Sequence, residues 1–318
     1  MPFYSVWLIP VLATVFALAA FISGYSIAVG EKDAYACFMY ISDGGAKPPE
    51  SCIFGQLLNL SAVFLALSCY IRHRQYVVYY GHRCGEKTGW WRTASLVLMY
   101  IGFLSAFGMS LVANFQEISI LVVHDIGAML AFFGATIYCW GQIFMSYALV
   151  PHMTPVWLNH IRTVLIAFSS GALVLHMTCQ YARPFVKSVN GVVPTESTDN
   201  VIKKYHSDSP FYTNHLVTTC AEWALALSLE AIVLTFAWEL RQFYIHIPKL
   251  RIKQGPIVPL NADGTSNIVS VDYRTNGQIS DPSIKQNEAA VSASVGKIPR
   301  SSIIRKAAPG SKRNEYLY

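Results

Sequence analysis

Residues 108–142 read GMSLVANFQEISILVVHDIGAMLAFFGATIYCWGQ, and they decide the fold. The stretch is a membrane hairpin. One apolar helix ends at Asn114-Phe115-Gln116-Glu117, and the next starts almost at once, carrying His124 and Asp125. Charged groups this close to hydrocarbon are costly, so they face other protein or a wet cavity. Beyond them, His124, Gly127, Ala131, Gly134, Tyr138 and Gly141 recur at alternating three- and four-residue steps and share one helix face. Small residues on one face let a neighbouring helix approach closely.

The rest of the chain agrees. Of its 318 residues, 53% are hydrophobic and 13% charged, with mean hydropathy +0.36; a soluble domain carries about 25% charged residues. Apolar stretches near 5–29, 53–71, 94–113, 119–149, 159–180 and 215–240 reach or approach the ~20 residues needed to cross a bilayer. The expected fold is an all-α bundle of six transmembrane helices over residues 1–246. The first stretch is a span rather than a signal peptide, because Met1–Trp7 holds no basic residue and the apolar run continues to Val29.

Residues 1–240 hold 12 Lys/Arg and 13 Asp/Glu, and residues 241–318 hold 12 and 5, so the net charge of +6 lies in the tail. The tail from Ile247 to Tyr318 is rich in Ser, Asn, Lys, Pro and Gly without helical period, and is expected to be disordered and to meet anionic lipid. It lacks the aromatic interleaving of a nucleic-acid binder, so no nucleic acid is expected as a partner. Lys/Arg counts also set the topology. The second connection carries Arg72, Arg74, Arg83, Lys87 and Arg92 against Glu86, whereas the first is acidic, which puts the second connection and both termini in the cytoplasm. Trp7, Trp90, Trp91, Trp157 and Trp238 fall near the expected interfaces and are read as anchors.

Cys37 and Cys52 lie in the first outer loop, with Cys179 and Cys220 near outer helix ends. In an oxidising compartment Cys37–Cys52 is the favoured disulfide and Cys52–Cys179 an alternative; the cysteines at helix ends serve equally well as small apolar residues. Cys84, in a basic juxtamembrane loop, is a palmitoylation candidate.

The chain shows no Walker A loop, no GxGxxG after a strand, no GxSxG, no HExxH and no CxxC pair, so no enzyme and no cofactor are expected. What remains is an intramembrane polar set. His124, Asp125, His176 and Glu222 fall at one depth toward the outer face, with Glu230 deeper. Three readings compete: a structural cluster that pins the helices, a proton- or lipid-headgroup-responsive site, and a metal or hydrolytic site. Glu230 has no basic neighbour at its depth and is read as protonated or as lining a small wet cavity.

These residues resemble a known family. Tyr40-Ile41-Ser42-Asp43-Gly44, then Pro49-Glu50-Ser51-Cys52-Ile53-Phe54-Gly55, are similar to the first-loop pattern of the DRAM family (damage-regulated autophagy modulators), within the wider Frag/DRAM/Sfk group that includes the transmembrane protein 150 branch. Asn114-Phe115-Gln116-Glu117 followed by His124 and Gly127 resembles its central motif, and Glu222-Trp223 with Glu239 its last span. Met39 departs from the proline usual before Tyr40, Glu230 stands where the family tends to be apolar, and the basic tail is long. The resemblance implies a six-span, non-enzymatic protein of lysosomal or endosomal membranes that promotes autophagy. The alternative it leaves open is a plasma-membrane regulator of phosphatidylinositol 4-kinase signalling, and a third is a lipid-handling enzyme or channel. It names no protein partner.

Overall fold

The structure is a computed structural model that describes residues 2–36, 39–85, 88–195 and 201–246. The tail and Cys37 lie outside the described residues, and with them the expected disorder and the Cys37–Cys52 pairing. Cys52 and Cys179 are both free thiols, so the alternative bridge between them is not made.

Six helices have the length and hydropathy to cross a membrane, as the apolar runs predict. They are α1 (Leu8–Gly30), α2 (Glu50–Tyr76), α3 (Trp90–Asn114), α4 (Leu121–Ala148), α5 (Val156–Tyr181) and α6 (Tyr212–Leu240). Each packs on its neighbours in sequence, and α6 closes the ring against α1 while also touching α4. α6 is the most buried of the six. Large apolar side chains such as Ile22, Val63, Phe107, Ile137, Phe168 and Leu234 face outward, while Arg72, Arg162, Ser61, Thr218 and Glu239 face inward. That inversion is what lipid as solvent requires.

Each end of the bundle has its own character. The loop end carries the 31–49 and 182–211 connections and the tight α3–α4 turn. The opposite, terminal end carries the start of α1 and the end of α6, where β1 (Pro2–Phe3) pairs antiparallel with β2 (Ile245–His246).

The seam read from α4 packs against α3. A Cβ on Gly127 would meet Leu111 Cβ at 2.8 Å and the Gly108 carbonyl oxygen at 3.0 Å, so only glycine permits this approach. Ser105 Oγ donates to the Ala131 carbonyl at 2.9 Å farther along, satisfying its hydroxyl inside the interface.

Two readings need correction. α2 does not stop near residue 71; it runs on to Tyr76 and continues as a π-helical segment, Val77–Arg83. Arg72 is thereby a fully buried helix residue, not a free loop charge. It found a buried carboxylate partner, Glu239, on α6. Trp91 is not an interfacial anchor: it is 2% exposed and packs 5.9 Å from the Tyr80 ring, whereas Trp90 and Trp157 are exposed.

Candidate functional site

The first loop is clamped onto the loop end of the bundle. A 3-10 turn, Ser42–Gly45, sits on α1 so closely that a Cβ on Gly24 would lie 2.5 Å from the Gly44 carbonyl oxygen. Phe54, 2% exposed, packs beneath the turn against Gly45. Asp43 accepts the Tyr40 N–H at 2.9 Å, which fixes the approach to the turn. Ser42 Oγ donates to Glu117 Oε2 at 2.8 Å, and the Ile41 N–H donates to Glu222 Oε2 at 3.0 Å. Trp223 Nε1 donates to the Met39 carbonyl at 3.0 Å, and the Tyr40 hydroxyl donates to Gln180 at 2.9 Å. The loop is thus tied to α5, α6 and the α3–α4 turn at once.

Charge accumulates under this clamp. Burial, with Glu117 and then Glu222 nearby, holds the Asp43 carboxyl well above the usual carboxylate range. Burial and the same two carboxylates also push the Tyr40 phenol up. Asn114, Phe115 and Gln116 shape the turn. Asn114 exchanges hydrogen bonds with Asn59 on α2 at 3.0 and 3.1 Å, and the Gln116 carbonyl accepts the Ser119 and Ile120 N–H groups.

The four residues expected to form an intramembrane cluster do come together, in a cavity of about 60 Å³ between α4 and α5. Asp125 and His124 line it from α4, His176 from α5 and Glu222 from α6, with Tyr40, Ser42 and Glu117 from the loops. They do not bond to one another. His124 Nδ1 lies 2.8 Å from the Phe115 carbonyl and His176 Nδ1 lies 3.1 Å from the Thr218 carbonyl. A carbonyl only accepts, so each ring donates at Nδ1 and, when neutral, keeps Nε2 as an acceptor. Among the described residues no group of three or more His, Cys, Asp or Glu is arranged to hold a metal ion.

Two further polar sites lie below. Glu230 lines a mainly apolar cavity of about 60 Å³ with Tyr138, Cys69 and Cys139, and Phe132 borders both this cavity and the one above it. Glu230 Oε2 and the Tyr138 hydroxyl are buried without a hydrogen-bond partner. At the terminal end, Glu239 receives Arg72 Nη1, Arg162 Nη1 at 2.6 Å and Thr154 Oγ1 at 2.9 Å. Both guanidiniums also lie over the Phe236 ring, at 4.7 and 5.0 Å.

Sequence reasoning did not find this network or the parts that Tyr40 and Gln180 play. The available signal was Arg162, a lone arginine inside an apolar span that demands an acidic partner at its own depth.

The sequence comparisons agree with this architecture. The family model described as Frag1/DRAM/Sfk1/Cwh43P N-terminal domain matches residues 5–243, which span all six helices. The chain is 33% identical to DNA damage-regulated autophagy modulator protein 1 of Homo sapiens over 239 residues, covering 75% of this chain and 92% of that one. It is 28% identical to DNA damage-regulated autophagy modulator protein 2 of Mus musculus over 241 residues, covering 75% and 85%. It is 30% identical to Modulator of macroautophagy TMEM150B of Danio rerio over 258 residues, covering 80% and 94%. No solved structure matches the chain. With a family model across the whole bundle and relatives matched over most of their length, the chain belongs to the Frag1/DRAM/Sfk1 family.

Proposed function

We propose that this chain modulates autophagy from endolysosomal membranes, as a non-enzymatic scaffold or lipid-responsive protein. The observation that carries the reading is convergence. Ser42, Asp43, Glu117, His124, Glu222 and Trp223, drawn from three separate motifs, meet in one loop-end assembly around a polar cavity. The relatives named as autophagy modulators supply the process.

The loop end faces the lumen and the terminal end the cytoplasm. With Arg72 removed from the count because it is buried, Arg74, Arg83, Arg92 and Arg241 with the basic tail support the terminal end as the cytoplasmic side, against Arg183, Lys187, Lys203 and Lys204 at the loop end. The basic tail then meets anionic lipid on the cytoplasmic leaflet.

Imaging a tagged copy beside a lysosomal marker, together with autophagic flux in cells lacking the chain, tests the proposal. Coincidence with the marker and a flux defect restored by re-expression are expected. A purely plasma-membrane pattern, or flux that ignores the deletion, overturns it.

A further inference from the structure

The loop-end cavity is a lateral cleft. Met129 on α4 and Tyr181 on α5 form an exposed rim. The rim continues into outward apolar faces carrying Ile126 and Phe133 on one side and Val174 on the other. A molecule reaching the cleft along these faces arrives from lipid, not from water.

Inside, the lining offers acceptors. Glu222 is 7% exposed; its Oε2 takes the Ile41 N–H, and no other hydrogen bond to its carboxylate is made among the described residues. His124 and His176, at 5% and 8%, each commit Nδ1 to a backbone carbonyl, and among the described residues Nε2 has no hydrogen-bond partner. Among the described residues the Asp125 carboxylate makes no hydrogen bond, and Glu117 takes one from Ser42. Among the described residues lining the cleft there is no Lys or Arg. Tyr40, Phe132 and Tyr181 add aromatic rings. Unpaired acceptors, carboxylates and aromatic faces together suit an organic ammonium group, which donates hydrogen bonds and is attracted to ring faces. The same lining has no fixed cation for a phosphate. One water requires on the order of 10–15 Å³, so a cavity of about 60 Å³ admits a small amine head and leaves the chain outside.

We propose that this cleft binds the head of a phosphate-free long-chain amine, of the sphingoid-base type, entering from the loop-side leaflet between α4 and α5. The assignment rests on the lipid-responsive part of the reading above and names its ligand. The ammonium sits against Glu222 and Asp125, the adjoining hydroxyls reach Gln180 or the imidazole nitrogens, and the alkyl chain lies along α4 and α5.

The test is photolabelling of the full chain in lipid nanodiscs. Three clickable, photoactivatable probes are compared: a sphingoid base, the same chain with hydroxyl in place of amine, and phosphatidylethanolamine. The sphingoid base should label at least tenfold more strongly than the other two, and unlabelled sphingoid base but not spermine should compete. Glu222→Gln, Asp125→Asn and the cleft-filling Ala128→Trp should each cut labelling about tenfold, the expected loss for one charge-assisted contact or for a blocked cavity. Ala128 and Asp125 are partly exposed, so those two variants decide the matter if Glu222→Gln does not fold. Equal labelling by the amine-free probe, labelling indifferent to folded variants, or equal competition by spermine overturns the assignment. Lost binding with intact lysosomal location and flux removes the ligand alone; lost flux with intact binding removes the autophagy reading alone.

Discussion

Replacing Glu239 with glutamine should be the most damaging single change at the terminal end. The native group is one carboxylate between two guanidiniums, with Arg72 at 0% exposure, Arg162 at 1% and Glu239 at 2%. Its net charge is one positive unit, spread over two arginines that share the Phe236 ring. Glutamine keeps the shape and removes the only carboxylate, so two buried cations then face each other. Breaking a buried pair in this way costs about 3–5 kcal/mol, mostly because the orphaned charge stays buried. For a chain of this size each kcal/mol shifts the melting temperature by roughly 2–4 °C, so a fall of about 10 °C is expected.

The control is the order of effects. Arg72→Met leaves Glu239 paired with Arg162 in a neutral couple, so no buried charge is orphaned, although Gln75 and Gln142 each lose a donor. It should cost less than half as much as Glu239→Gln. The double variant Glu239→Gln with Arg162→Met returns the net charge to one and should recover part of the loss. Purified protein in detergent, melted while its tryptophan fluorescence is followed, gives all four values. If Arg72→Met melts as low as Glu239→Gln, charge balance is not what holds this end together.

Three other outcomes follow from particular contacts. Because Asp43 titrates above its ordinary value of 3.8, its contribution to the folded loop is fully present below that pH and is lost as pH rises through the raised value; amide protection at Tyr40–Gly45, measured as exchange relative to the intrinsic rate at each pH, should therefore be greater at luminal acidity than at neutral pH, and an opposite order refutes the burial argument. Gly127→Leu should cost about 1–3 kcal/mol by overpacking the α3–α4 seam, whereas Gly171→Leu, with nothing within 4 Å of its Cβ position, should cost far less in the same melts. Cys84 is exposed while Cys69, Cys139 and Cys179 are buried; in a variant retaining only those four cysteines, an impermeant maleimide should react in intact organelles, and luminal protection would reverse the proposed orientation.

Much of the architecture could be read from pattern. Span number followed from run length, and the α4 seam from the spacing of Gly127, Ala131 and Gly134, because lipid leaves helices few other ways to approach. The convergence of His124, Asp125, His176 and Glu222 followed from depth alone. What was not legible was partnership. Nothing in the order of residues says that His124 turns to the Phe115 carbonyl instead of to Glu222, or that the Ile41 amide reaches Glu222 across 181 positions. Arg72 was misjudged because Arg74, two residues on in the same helix, is an exposed charge; at about 100° per residue the two point to nearly opposite faces of α2. Trp91 was misjudged because an interfacial and a buried indole differ only in which helix face they occupy, and the adjacent Trp90 took the outward one.

The placement of three acids on α6 has a common cause. A helix at the rim of a bundle must keep one face apolar for lipid, so its polar residues share a single direction. α6 keeps only a narrow outward stripe, Leu227, Leu234 and Trp238; the rest of it packs on α1, α4 and α5, and it is the most buried of the six. Glu222, Glu230 and Glu239 stand eight and nine residues apart, which at about 100° per residue turns the second ~80° from the first and the third to the opposite side. Each therefore meets a different neighbourhood. Glu222 takes the first loop's amide, Glu230 faces the central cavity, and Glu239 neutralises arginines from α2 and α5. Two of the three are tied by direct bonds, and the third is left with an oxygen that nothing satisfies. Glu222 and Glu239 thus fix the two ends of α6 against the ring, and between them the Glu230 backbone carbonyl takes the Thr14 hydroxyl from α1 at 3.3 Å while its side chain faces the central cavity.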